Sequence, residues 1–149
     1  MTLGEKIRDD LYQAIKQQDK VRISTLRLLI SSIKNAEIAE QKPIDDNKII
    51  ALLSGEVRQR RESIEAFKQG NRSDLVAQEE SGLAIVLEYL PKQMGRGEII
   101  AAAQQAIDMV GAKGEIDKGK VMSQLMPQLK GKANGKEVSE IVSELLAQA

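Results

Sequence analysis

No cysteine, histidine or tryptophan occurs in this sequence. Without cysteine there are no disulfides, thiolate nucleophiles or zinc–thiolate sites. Without histidine there are no imidazole metal ligands, no Ser-His-Asp chemistry and no usual general base near neutral pH. Neither a metal site nor a cofactor is therefore expected. The aromatics are only three, Tyr12, Phe67 and Tyr89, so the core must be aliphatic and bases have few surfaces to stack on. A surplus of either charge is also missing: 22 Lys and Arg balance 22 Asp and Glu. Attraction to a polyanion must then come from local patches. No segment approaches a membrane span in length. The N-terminal MTLGEKIRDDLYQ has acids throughout and no apolar run like a secretory signal, so the protein is expected to be cytoplasmic.

What is present is a chain of 149 residues, 42 % hydrophobic and 30 % charged, in keeping with a soluble globular protein. Helix formers dominate and β-branched alternation is absent, which predicts an all-α fold. Leu3, Ile7, Leu11 and Ile15 repeat every fourth residue and predict a first helix over residues 3–17. Asp19 can cap a second helix running to about Glu40, with Ile23, Leu26, Ile30 and Ile33 inward and Arg22, Arg27 and Lys34 on its polar side. Pro43 ends it, and Asp45 or Asp46 can cap a third. The apolar stripe of the third helix breaks at Arg60 and Arg61. That of the fourth, expected to be capped by Ser73 after a Gly70-Asn71 turn, breaks at Glu79 and Glu80. An antiparallel hairpin sets the two breaks level, so ion pairs between these arginines and glutamates are predicted.

Leu90-Pro91 closes this four-helix N-terminal domain, residues 1–94, and a small three-helix C-terminal domain, residues 95–149, is expected to follow. Its first helix is predicted over about Glu98–Val110. Its second is capped by Asp117 and kinked or split by Pro127. Gly131 supplies a left-handed stop, and Asn134 with Glu137 reads as a capping box for the last helix.

The stretch Asp117–Val142 departs furthest from an ordinary helical domain. Lys118, Lys120, Lys130, Lys132 and Lys136 fall in two glycine-containing turns, each leading into a helical pattern. Helix N-termini expose free N–H groups and partial positive charge, so such turns suit phosphate. Lys118, Lys120, Lys130, Gly131, Lys132, Asn134, Gly135 and Lys136 are accordingly the candidate nucleic-acid contacts. Arg58, Arg60 and Arg61 are secondary basic candidates. The plain alternative is solvated surface lysine.

Three segments carry a family resemblance: DKVRISTLRLLISSIKNAEI (19–38), RRESIEAFKQGNRSDLVAQEESGLAIVLEYLPKQM (60–94) and GKVMSQLMPQLKGKANGKEVSEIVSELL (119–146). They resemble the GatB/YqeY family, and more closely its free-standing YqeY-like members. The resemblance implies an all-helical protein. It also implies kinship with the tail of the GatB component of glutamine-dependent aminoacyl-tRNA amidotransferases, where such a domain looks like a tRNA-binding module. Expected partners are therefore tRNA and an aminoacyl-tRNA synthetase or amidotransferase, with no membrane. The family is also associated with carbon–nitrogen ligase activity using glutamine as amido-N-donor. This sequence offers that chemistry no P-loop, and Ser31-Ser32 followed by Lys34 lies mid-helix without a glycine-rich nucleophile loop. A non-catalytic binding module is expected, the alternatives being a protein-interaction adaptor or a contributor to the ligase reaction. Gly95-Arg96-Gly97 departs from the family's usual Ser or Thr cap, and Asn134 from its frequent Asp.

Overall fold

The structure, a computed structural model, describes residues 1–148 and is all-helical, with seven α-helices and no strand among the described residues. The chain divides into two compact units, Met1–Leu90 and Pro91–Ala149.

In the first unit, α1 (Leu3–Gln17) and α2 (Lys20–Glu40) form one hairpin, and α3 (Asp46–Gln69) and α4 (Ser73–Leu87) another. The α1 start is a capping box that the sequence reading did not include: Thr2 Oγ1 accepts from Glu5 N–H, and the Glu5 carboxylate accepts from Thr2 N–H. Asp19 and Asp45 cap α2 and α3, accepting from Arg22 and Lys48 N–H at 3.1 and 2.9 Å. Asp46 has a different task, accepting from Leu3 N–H at 3.1 Å and so joining the starts of α1 and α3. Ile7, Leu26, Leu29, Leu53 and Val86 are almost fully buried at the centre of the resulting aliphatic core.

Ser73 is not a cap. Arg72 holds the N-cap position with no side-chain bond to a helix N–H, and Ser73 is already helical. The preceding turn is made by Asn71, whose φ of 56° is left-handed, and Arg72 pairs with Asp74 in the first turn. Of the ion pairs expected across the hairpin, one forms: Arg60 Nη1 lies 3.2 Å from Glu79, while its Nε donates to Glu56 on its own helix at 3.0 Å. Arg61 and Glu80 are exposed, and no ion pair joins them among the described residues.

The second unit contains α5 (Arg96–Val110), a 3₁₀ turn (Glu115–Asp117), α6 (Lys118–Leu129) and α7 (Gly135–Ala147). Its core is built from Ile99, Ala103, Val121, Leu125, Val138, Ile141 and Val142. Helix α5 begins two residues before the expected Glu98, with Gly95 as an N-cap that has no side chain to offer. Pro127 neither splits nor ends α6. It sits in the last turn, where the lost donor is followed by only two more helical residues.

Candidate nucleic-acid interface

The two lysine-bearing turns lie at opposite ends of α6. Nine residues of helix lie between Lys120 and Lys130, about 15 Å along the axis. The five lysines are therefore two groups, with different electrostatic surroundings.

At the α6 start, Asp117 occupies the N-cap position, but its carboxylate does not cap the helix. It accepts from Lys113 N–H at 3.0 Å, folding the loop back on itself. Lys118 and Lys120 each face an acid three residues earlier, Glu115 at 4.0 Å and Asp117 at 3.9 Å. Such exposed pairs contribute little stability. They do place negative charge at the helix end where an anion would have to sit.

The α6–α7 turn is different. Gly131 is buried with φ 78°, a left-handed conformation that glycine takes without strain. Lys130, Lys132 and Lys136 surround it, all exposed. The ion pairs found in this unit are made by Arg96, Lys118 and Lys120 instead. The Asn134 side chain caps α7 by accepting from Lys136 N–H at 2.8 Å rather than from Glu137 N–H. Asn134 is thus the cap, but the anticipated reciprocal box with Glu137 is not found among the described residues. Gly135 is exposed beside it. The turn is held from within the unit: Gln93 donates to the Gly131 carbonyl at 2.7 Å, and Met94 N–H donates to the Lys132 carbonyl at 2.9 Å. The turn is a short segment of restrained backbone with three lysines that make no ion pair among the described residues, next to a helix N-terminus. Cations and free helix N-terminal N–H groups are the donors that oxyanions accept from.

The secondary candidates lie on α3, in the first unit. Arg60 is spent on Glu56 and Glu79 with its side chain 13 % exposed, whereas Arg58 and Arg61 are exposed and make no ion pair among the described residues. Met122 and Met126, the apolar face on which an adaptor reading would lean, are partly buried against the second core.

Two other places in the first unit hold polar side chains in company. Tyr89 donates to Asp10 at 2.6 Å, Lys6 reaches the same carboxylate at 3.1 Å and lies over the Tyr89 ring, and Arg22 bonds Glu88 at 2.9 Å. Burial and the Asp10 hydrogen bond push the Tyr89 hydroxyl far above its ordinary range. Burial acts to raise Asp10, but the hydrogen bonds from Tyr89 and Lys6 together outweigh it and hold the carboxyl below its ordinary value. The proton thus stays on Tyr89, which makes this a structural tie. A cleft of about 550 Å³ lies between the starts of α1 and α3, lined by Thr2, Arg8, Glu37, Ile44, Asp45 and Asp46 among others. Its acids are occupied with backbone: Glu37 accepts from Ile44 N–H, and Asp45 and Asp46 from Lys48 and Leu3. No cluster of three or more acids among the described residues could hold a metal ion, and no helix is long and apolar enough to cross a membrane.

A family profile described as Yqey-like protein matches residues 4–146. The chain belongs to the YqeY-like family. Among curated proteins it is similar to several named "Altered inheritance of mitochondria protein 41, mitochondrial". The one from Lachancea thermotolerans is 40 % identical over 103 residues, 68 % of this chain and 52 % of that protein. The one from Pyrenophora tritici-repentis is 26 % identical over 144 residues, covering 95 % and 79 %. The one from Saccharomyces cerevisiae (strain YJM789) is 29 % identical over 142 residues, covering 93 % and 68 %. The chain thus spans about half the length of the Lachancea protein.

These names overturn the cytoplasmic expectation, since all three relatives are called mitochondrial. The lack of an apolar run bears only on a secretory signal or a membrane span. Mitochondrial targeting segments are amphipathic and arginine-rich, so the lack of an apolar run says nothing about them.

Proposed function

We propose that this YqeY-like chain is a non-catalytic tRNA-associated binding module whose α6–α7 turn meets the RNA backbone. In this reading the protein consists of an N-terminal four-helix domain and a small C-terminal three-helix domain, and the latter carries the contact. The observation that supports it is the company of Lys130, Lys132 and Lys136 in the turn leading into α7, exposed and making no ion pair among the described residues. Phosphate contacts of this kind fix position and carry no sequence information. With so few aromatics, recognition rests on RNA shape and backbone rather than on stacked single-stranded bases. A folded RNA such as tRNA fits that mode better than a linear one.

The test is tRNA binding by fluorescence anisotropy across a salt series, with the wild-type chain and with Lys130, Lys132 and Lys136 replaced together by Gln. Affinity should fall in the variant, and the slope of log K against log salt should become shallower by about 2 to 3. Equal binding by both proteins would remove the proposal.

A further inference from the structure

Helix α2 carries a basic row along its outer face. Lys20, Ser24, Arg27, Ser31 and Lys34 follow one another at steps of four and three residues, the spacing that places side chains on one face of a helix. All five are exposed. The buried side of the helix, Thr25, Leu26, Leu29 and Ile33, points the other way into the first core. The row spans about 21 Å, with a cation roughly every 10.5 Å and a hydroxyl between each pair. The acids of α2 are not in it: Glu37 is occupied by Ile44 N–H, and Glu40 is paired with Lys48. Arg22, the remaining base, is held by Glu88 and Asp19 on another side.

We infer that this face is a second contact for the phosphate backbone of structured RNA, on the unit that does not contain the α6–α7 turn; in naming the ligand as RNA the inference rests on the function proposed above. The charge is complementary, and the whole row lies on one continuous helix. Serine hydroxyls between the cations are donors of the kind that bond phosphate oxygens. The face contains no aromatic side chain, so it tracks backbone and ignores base identity. An anionic membrane suits it less well. Val21 and Leu28 flank the row, but the row itself is polar, whereas a membrane-surface helix buries an apolar face.

The experiment uses the full chain and an unfractionated tRNA mixture. Lys20→Gln, Arg27→Gln and Lys34→Gln are made together. A control carries Lys16→Gln, Lys42→Gln and Lys68→Gln, which removes the same charge from exposed sites of the same unit. Thermal melts verify that both variants fold. The row variant should bind roughly tenfold more weakly at low salt, with the salt slope shallower by about 2 to 3, and the control should stay near wild type. Wild-type affinity in the row variant, or an equal loss in the control, overturns the inference and leaves the α6–α7 turn proposal standing. Loss in the row variant, with none on replacing Lys130, Lys132 and Lys136, supports the inference and removes the turn proposal. A wild-type chain that does not bind tRNA at all overturns both. Binding to phosphatidylserine vesicles that is lost in the row variant while tRNA binding is not overturns the inference for this face alone.

Discussion

The guanidinium of Arg60 lies directly over Gly82, in the space that a β-carbon on Gly82 would take. Built onto the backbone there, that carbon would stand 2.7 Å from Arg60 Cζ, closer than real side chains approach. Arg60 is held in that position by Glu56 on its own helix and Glu79 on the facing one. Gly82 is thus the floor of a polar inlay within an otherwise aliphatic hairpin.

Gly82→Ala should therefore destabilise the first unit, by about 1–2 kcal/mol, because displacing Arg60 leaves two half-buried carboxylates without their cation. In an Arg60→Ala background the same substitution should stabilise, by about 1 kcal/mol, since alanine is the better helix former. Urea melts of the four proteins in this cycle check it. An additive result would show that the two residues do not interact.

The Tyr89–Asp10 bond ties stability to pH at both extremes. Asp10 is held below its ordinary value in the fold. Its contribution is therefore present above the unfolded carboxylate value and lost as pH falls below about 4. Tyr89 is raised, so its contribution is present below the unfolded phenol value and declines as pH climbs past about 10. Tyr89→Phe should cost about 1 kcal/mol at pH 7, where the bond is intact, and less at pH 3. Chemical denaturation at pH 3, 7 and 10.5 would show a flatter profile for the variant at both ends.

The two ends of α6 should behave differently toward RNA. Lys118→Gln with Lys120→Gln removes cations already facing Glu115 and Asp117, and should change the salt slope of tRNA binding by less than about 1. The triple substitution at Lys130, Lys132 and Lys136 should change it by more than twice that. Equal effects would indicate a diffuse attraction to the whole second unit.

Asn134→Asp separates stability from binding. Aspartate caps as well as asparagine and adds favourable charge at the α7 N-terminus, so the melting temperature should hold or rise slightly. The same charge sits among the three free lysines and should weaken tRNA binding a few-fold at low salt, with the difference fading as salt screens it. Melts and anisotropy on one preparation give both answers.

Much of the helical layout was legible because each helix advertises itself locally. The four-residue stripe of α1, the Asp19 and Asp45 caps and the left-handed Gly131 all follow from neighbours within a turn. The Arg60–Glu79 pair was also legible, since two defects at matching heights of a hairpin imply one another. Gly82 beneath it was not, because nothing local separates a glycine that makes room from one that does not. The misjudged caps have a common cause. Ser73, Asp117 and the Asn134–Glu137 box have suitable chemistry at suitable spacing. What each oxygen bonds depends on loop backbone that spacing does not specify: Asp117 turned to Lys113 N–H, and Asn134 to Lys136 N–H. The Thr2–Glu5 box, by contrast, has its signature in the sequence, a threonine followed three residues later by glutamate at the start of an apolar stripe. The two lysine turns stand apart because α6 runs through Pro127 to Leu129 between them, about 15 Å along its axis from Lys120 to Lys130.

The bonds from Gln93 and Met94 to Gly131 and Lys132 bear on where this chain can be cut. A fragment starting at residue 95 would keep every helix and every fully buried core residue of the second unit, losing from its packing only the half-buried Met94, yet lose both restraints on the lysine turn. Four residues more, from Pro91, would retain them. Of two fragments alike in helix content, only the longer would present the lysines on a fixed backbone. The shorter would have to order its turn each time it met a ligand.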